Sequence, residues 1–467
     1  MTNLRLDGFG VLPRHWSLVT FGDVLIGGVR NGIYKPKEFH GRGSKIVNMG
    51  ELFANPRLHA IAMRRVELSP QEIEKSSLLP GDLLFARRSL VAEGAGKCSI
   101  VLSVDENTTF ESSIIRARPD PALADSQFLY SLFNSAYGQH ALGTIRRQVA
   151  VAGITGADLV RLPIPLPPIN EQRAVVSIID ALESKIELNQ QTTKMLEAVA
   201  QALFKSWFVD FDPVRAKLDG RVVKCDADLA GGLFPNKLIA SNSEFGQIPQ
   251  GWQVSHLAEV VSLGRGDIQT GPFGSQLHAH DYVTSGVPVI MPTNISNRRI
   301  VTDRIARVDP HHAERLGRYR IQSGDLVYSR RGDVEKHALT GPEEDGWLCG
   351  TGCLRIRPAA AGQRGVSSQF LSFWLDLPTS REWIAARAVG ATMPNLNTSI
   401  LSEAPVLLPP PPVYEAFERF VIPLDAQIRN FRVENEDLSE LRNILLTRLF
   451  SGELRMRDNE RRVEAAI

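Results

Sequence analysis

Gly81-Asp82-Leu83-Leu84-Phe85-Ala86-Arg87-Arg88 returns later in the chain as Gly324-Asp325-Leu326-Val327-Tyr328-Ser329-Arg330-Arg331, at an offset of 243 (324 − 81). Each copy reads as a Gly-Asp turn, a short apolar strand and a pair of arginines. The match extends outward. Leu12-Pro13-Arg14-His15-Trp16 aligns with Ile248-Pro249-Gln250-Gly251-Trp252 at an offset of 236 (252 − 16). Ile154 to Leu159 aligns with Leu396 to Leu401 at 242 (396 − 154), and Pro163 and Pro167 match Pro405 and Pro409 at the same offset. A period this long is a duplicated domain and not a solenoid repeat. The offset drifts inside each globular part and then holds steady, as expected of a variable module mounted on a fixed frame.

The frame follows each globular part. Between Asn170 and Phe208 the chain has no Gly or Pro, and Asn170 is placed to cap a helix with Glu171 just inside it. A mostly apolar line at alternating steps of three and four runs Ile179, Leu182, Ile186, Asn189, Thr193, Leu196, Ala200, Leu203, Trp207. Shifted by 242, it becomes Val421, Leu424, Ile428, Phe431, Asn435, Leu438, Arg442, Leu445, Leu449. Both are heptad seams, and the shared register points to an antiparallel pair rather than two unrelated core helices. The pairing residues expected are Ile179, Leu182, Ile186, Leu196, Leu203, Leu424, Ile428, Leu438, Leu445 and Leu449. Thr193 and Asn435 hold equivalent places near the centre, either as a polar layer that fixes register or as a harmless slip of the line onto the surface. Pro423 predicts that the second helix becomes regular only from about Leu424.

Short β-type runs (Leu83–Ala86, Ile114–Arg118, Pro288–Met291, Asp325–Ser329, Cys353–Arg357) alternate with helical patches at Ser126–Tyr137 and Ser368–Leu375. The fold class predicted is α+β: two pseudo-repeated mixed domains joined by two long antiparallel coiled-coil helices. The divisions expected are residues 1–166 for the first globular domain and 167–208 for a central helical spacer. A linker at 209–247 follows, then the second domain at 248–408, a C-terminal helical spacer at 409–452 and a charged tail at 453–467.

Lys plus Arg is 53 against Asp plus Glu 52, so no global charge draws the chain to nucleic acid, and any such binding comes from local patches. The candidates are Arg87 and Arg88 with Arg330 and Arg331, because a guanidinium fork donates two parallel hydrogen bonds to phosphate or guanine. The alternative for these arginines is an ion pair across the sheet, with Asp333 as one partner. Further basic positions are Lys97, Arg146, Arg147, Arg298, Arg299 and Lys336, beside Arg64, Arg65, Arg304, Arg307, Arg315, Arg318 and Arg320. Trp16 and Trp252 read as core residues. The N-terminus lacks an apolar signal segment, and no run is long enough to span a membrane, so a cytoplasmic protein is expected.

The order of these segments resembles the specificity subunit of type I restriction–modification enzymes. The resemblance rests on the Leu-Pro-x-x-Trp and Ile-Pro-x-Gly-Trp openings, the Gly-Asp-Leu strand with its Arg, and Thr392-Met393-Pro394-Asn395-Leu396-Asn397. It rests also on Pro167-Pro168-Ile169-Asn170-Glu171-Gln172-Arg173 and Leu203-Phe204-Lys205-Ser206-Trp207-Phe208-Val209-Asp210-Phe211-Asp212-Pro213. It implies two target-recognition domains, each reading half of a split site in double-stranded DNA, and no catalysis in this chain. It implies two methyltransferase subunits as partners, and a motor–nuclease subunit that can join them. S-adenosylmethionine, ATP and Mg²⁺ would then serve the partner subunits and not this chain. Asn395 and Asn397 would organise a turn beside the DNA. Gly153-Ile154-Thr155 stands at their place in the first copy, and Pro411-Pro412-Val413-Tyr414-Glu415-Ala416 replaces the Glu-Gln form at the second helix.

Enzyme readings fare worse. Phe211-Asp212-Pro213-Val214 and Leu166-Pro167-Pro168-Ile169 are not adenine-methyltransferase motifs, and Glu93-Gly94-Ala95-Gly96-Lys97-Cys98 lacks the hydroxyl residue of a phosphate loop. A nuclease built on Asp82, Glu93 and Lys97 is an alternative, but its Glu and Lys do not repeat at matching positions in the second copy. A coiled-coil scaffold without DNA readout is another, and it leaves the arginine strands unexplained. No metal site is expected. Cys98, Cys225, Cys349 and Cys353 read as free thiols, and Cys349-Gly-Thr-Gly-Cys353 has no second ligand pair at zinc-site spacing. His278, His280, His311 and His312 lack a Glu at protease spacing.

Overall fold

The structure, a computed structural model, describes the chain except residues 1–4, 7–9, 90–93, 148–151, 221–231, 242–244, 391–393 and 451–467. Cys225, Glu93, Thr392, Met393 and the charged tail therefore lie outside the described residues. The chain forms two compact units, residues 1–191 with 431–467, and residues 192–430. The long helices Ile169–Phe208 and Pro411–Phe450, of 40 residues each, both contribute to both units.

In the first unit a five-stranded sheet has the order Leu25–Asn31, Ile114–Pro119, Leu83–Ala86, Cys98–Val101, Arg57–Leu58. In the second, the order is Arg265–Thr270, Cys353–Ala359, Leu326–Ser329, His337–Leu339. The shared part is the same topology in the same register: Ala117 faces Leu83 as Ile356 faces Leu326. A smaller sheet repeats as well. Thr108–Phe110 lies parallel to His40–Val47, and Leu348–Cys349 lies parallel to Val287–Ile290. Each unit closes with one antiparallel pair, Ser17–Thr20 with Pro163–Leu166 and Gln253–His256 with Pro405–Leu408. The Gly-Asp turns need glycine in both copies, with φ of 93° at Gly81 and 91° at Gly324.

The two helices run antiparallel within each unit. In the first, Arg442 Nη1 donates to Glu183 at 2.8 Å and Asn189 Nδ2 to Asn435 at 3.0 Å, so partners ascend on one helix as they descend on the other. In the second, Phe204 and Trp207 pack on Phe417, and Trp207 also meets Phe420. Ile179, Ile186, Ile428 and Leu449 are buried, while Leu182, Leu196, Leu203, Leu424, Leu438 and Leu445 are partly covered. Ile179, Leu446, Leu449 and Phe450 join the core of the first unit with Phe128 and Leu129.

Three expectations change. The first helix begins at Ile169, so Asn170 sits in its first turn and the carbonyl of Pro168 accepts from Glu171 and Gln172. The second helix runs through Pro423, whose missing N–H costs one backbone bond that the buried faces on either side, Val421 and Ile428, outweigh. The described parts of the segment read as a linker contribute to the second unit's core. Asp212–Leu218 is helical, Leu238–Ala240 pairs with Gln247–Pro249, and Phe211, Val214 and Phe234 are buried with Trp207 and Trp252. Composition pointed to a linker because the polar residues of this segment outnumber the few large apolar ones that anchor it.

Candidate nucleic-acid interface

Each unit carries a junction of three chain segments at the end of its central strand. In the first, the carbonyl of Arg87 accepts from Ile154 N at 3.0 Å, Arg88–Ser89 pairs with Ala152–Gly153, and Gly153 bridges in turn to Arg147. In the second, the carbonyl of Arg330 accepts from Leu396 N at 2.8 Å, Arg331 bridges to Asn395, and Asn395 bridges to Val389. These are equivalent positions, at offsets of 243 for the arginines and 242 for the others. Antiparallel pairing at the strand end holds the exposed Arg88, Arg147 and Arg331 on a rigid backbone. Arg147 donates to Asp158 at 2.7 Å, which steadies it, though its side chain stays 65% exposed.

Arg87 and Arg330, one residue earlier, point elsewhere, as strand alternation requires. Arg87 is half-buried and reaches the carbonyl of Ser112 at 3.4 Å. Arg330 lies over the ring of Phe273 at 5.7 Å, and its Nε is buried without an acceptor among the described residues. Asn395 Oδ1 is likewise buried and without a donor there.

The other candidates have partners within the chain. Lys97 Nζ donates to the carbonyl of Phe53 at 3.3 Å and sits over its ring, and Arg146 is tied to the carbonyl of Ala95 and to Gln139. Arg298 lies 3.6 Å from the ring centre of Phe373, where burial lowers its pKa to about 10. Arg299 bridges Glu197 and Asp425, one on each long helix, and so braces the frame. Lys336 pairs with Asp333 at 2.8 Å on the surface, so Asp333 is the partner of this lysine and not of the strand arginines. Asn397 caps the helix Thr398–Ser402 through Ile400 N at 2.8 Å. Thr155, its counterpart, caps Gly156–Val160 in the same way, so the first copy solves the turn with a threonine.

Two arginine positions in each copy went unread in the sequence. Arg118 Nε donates to the buried Asp82 at 2.6 Å, and Arg357 Nε to the buried Asp325 at 2.8 Å. These carboxylates raise the pKa of Arg118 and Arg357, while burial lowers that of the neighbouring Arg116. Arg116 reaches the carbonyl of Ser77, and Arg355 that of Arg320, its equivalent. The Asp of each Gly-Asp turn is thus a clamp for the central strand. The signal was available as the alternation Ile115-Arg116-Ala117-Arg118 and Leu354-Arg355-Ile356-Arg357.

Glu171 and Gln172 dock the first helix. Glu171 accepts from the Trp16 indole at 3.2 Å, and Gln172 bonds Asp125 N and the carbonyl of Pro167, each at 2.8 Å. At the same offset Val413 and Tyr414 do this by apolar burial. Cys98, Cys349 and Cys353 are buried free thiols, and burial pushes Cys349 up to about 12. The histidines behave otherwise: His278, His280 and His312 gather around Asp281. No helix among the described residues is long and apolar enough to cross a membrane.

The described residues thus form a duplicated α+β module with paired antiparallel helices and an arginine junction at the same place in each copy. Residues 13–198 match the family model described as type I restriction modification DNA specificity domain. The chain is 25% identical over 456 residues to the HindI specificity subunit of Haemophilus influenzae, covering 87% of this chain and 94% of that protein. It is 20% identical over 462 residues to the MjaIX specificity subunit of Methanocaldococcus jannaschii, covering 98% of each. In fold it is similar to the S subunit from M. genitalium, with a TM-score of 0.54 at 14% identity, over 96% of this chain and 98% of that one. Over most of its length the chain is thus similar to specificity subunits of type I restriction enzymes.

Proposed function

We propose that this chain reads a split site in double-stranded DNA, each unit taking one half-site through its arginine junction. The observation that carries the reading is the equivalence of Arg88 and Arg331: exposed, held by cross-strand pairing, and placed at the same point of two copies that have diverged around them. Arg147 and Asn395 complete the first and second junctions. Because the two copies differ in the residues around the junction, the half-sites differ in sequence. The long helices serve two roles in this reading. They set the unread gap between half-sites, and they offer surface to two methyltransferase subunits, to which a motor–nuclease subunit can be added. S-adenosylmethionine, ATP and Mg²⁺ belong to those partners, and the assembly works in the cytoplasm.

The test is the methylation pattern of the assembled complex. Mapping methylated adenines should give a motif of two short unlike parts with a fixed gap. Inserting seven residues into both helices at the seam, two turns of about 1.5 Å rise per residue, should lengthen that gap. An unchanged motif would refute the spacing role, and a continuous motif would refute the two-reader scheme.

A further inference from the structure

The segment between Phe273 and Val283 of the second unit carries a cluster that DNA reading does not use. His278 and Asp281 begin and end a tight turn, with Asp281 Oδ2 accepting from His278 N at 2.7 Å and Asp281 N donating to the carbonyl of His278 at 3.1 Å. That turn faces the helix Pro310–Arg315, against which Leu277 is buried with Ala313 and Leu316. Three imidazoles approach the one carboxylate. His278 Nδ1 is 3.5 Å from Asp281, His280 Nε2 is 3.4 Å from it, and His312 Nε2 is 3.6 Å from it. The ligand atoms of His278, His280 and Asp281 all lie within 4.8 Å of one another.

We propose that His278, His280, Asp281 and His312 form a binding site for a divalent transition metal of the zinc class. The distances carry the argument. Bonds of about 2.0–2.1 Å to nitrogen and oxygen at tetrahedral angles put ligand atoms about 3.3–3.4 Å apart; His278 Nδ1 and His312 Nε2 lie just beyond that from Asp281 Oδ2, and His280 Nε2 lies 3.4 Å from the other oxygen, Oδ1. Three imidazoles and a carboxylate suit zinc, cobalt or nickel and not the hard cations, which take oxygen sets. The carboxylate is oriented in advance, because the backbone N–H of His278 holds one of its oxygens, the usual outer-shell device of metal sites. His312 Nε2 sits 2.6 Å from Arg315 Nη2, which must release it for a metal to bind there. Arg315 also donates to the carbonyl of Gln276 at 2.9 Å and keeps that partner when it releases His312. His278, His280 and Asp281 supply the close set of ligand atoms, and His312 reaches the same carboxylate from the helix to complete a closed, structural site. It ties the turn to the helix across the strand pair of Tyr282–Val283 with Ala306–Val308. The inference stands apart from the DNA reading.

Titrating the full chain with Co²⁺ tests it directly. One equivalent should bind with the intense visible absorption of a tetrahedral site, and Zn²⁺ should displace it. Thermal unfolding should move upward with added Zn²⁺, as for any ligand that binds only the folded state. His280 is 80% exposed, stacked on the His278 ring, and His280→Ala should weaken Co²⁺ binding about tenfold or more. His278→Ala/His312→Ala should abolish the band, while His311→Ala should bind like the parent. A parent chain that shows no tetrahedral band overturns the proposal. So does a band that survives both His280→Ala and the double substitution.

Discussion

Asn189 Nδ2 donates to Asn435 Oδ1 at 3.0 Å and to Glu434 Oε2 at 2.8 Å, so both hydrogens of a buried amide are used across the helix pair. Thr193 and Asn435 were read as equivalent positions near the centre, and Asn435 pairs with Asn189, one seam step before Thr193. A satisfied polar pair in an apolar seam selects one register at a cost in stability. Asn189→Ala leaves Asn435 short of a donor and should destabilise the first unit by about 1–3 kcal/mol. Asn189→Leu/Asn435→Leu should recover that loss and weaken the register instead. Urea unfolding of the three chains gives the stabilities, and cysteine cross-linking along the seam reads the register. If the double variant cross-links only in the parent register, the pair does not specify it.

The Asp–Arg clamps should be worth more than surface pairs. Asp325 is almost fully buried and Arg357 largely so, which means that removing the acid leaves a guanidinium unpaired in the sheet. Asp325→Ala should cost about 3–5 kcal/mol and be felt in the second unit, and Asp82→Ala should do the same in the first. Hydrogen exchange of the central strands Cys353–Ala359 and Ile114–Pro119 distinguishes the two. Equal loss of protection in both strands from a single substitution would contradict a local clamp.

At the junctions, Arg88→Ala and Arg331→Ala should each act on one half-site. An arginine bonding a base edge costs about 1–3 kcal/mol of binding when removed and relaxes one position of the motif, while one bonding phosphate weakens all sequences and lowers the salt slope by about one. Arg299→Ala, which faces Glu197 and Asp425, should leave both motif and salt slope alone. Binding of the assembled complex to a randomised duplex pool, repeated at two salt concentrations, separates these outcomes. A motif unchanged in both junction variants, with unchanged affinity, would remove Arg88 and Arg331 from the interface.

His337 gives the second unit an acid-sensitive point. Burial, aided by the charge of Arg298, lowers its pKa to about 3, and its Nε2 sits 3.0 Å from the carbonyl of Ser372. Its folded value lies below the unfolded one of about 6.5, so the unfolded chain takes up this proton first. The stability it contributes is complete above that unfolded value and is lost as pH falls from about 6.5 toward 3, by up to about 1.4 kcal/mol per pH unit. His337→Gln should flatten this part of the curve. Thermal unfolding between pH 7 and 5 is the measurement, and parallel curves for parent and variant would count against it.

The duplication was legible because strand and helix periodicities repeat in register, and Leu83–Ala86 and Leu326–Ser329 fold as those runs indicate. The heptad line was legible for the same reason, since every seam position is at least partly covered. Side-chain destinations were less so. Arg299 and Arg331 have the same chemistry in sequence, yet one meets acids on both helices and the other is exposed, and only tertiary placement separates them. Phe211 and Phe234 were hidden in polar surroundings, because composition averages over a segment while a core needs only a few anchors. The histidine cluster was missed because its fourth member, His312, arrives from a separate helix.

The closing helix has a consequence for how the molecule is made. Leu446, Leu449 and Phe450 fill the core that Phe128, Leu129 and Ile179 begin, so the unit started first on the ribosome lacks part of its interior until residues 446–450 have emerged. Maturation of the N-terminal reader is a late event of synthesis. A chain released early would display an open apolar cleft there, and would be a substrate for chaperones or proteases before it could engage a duplex.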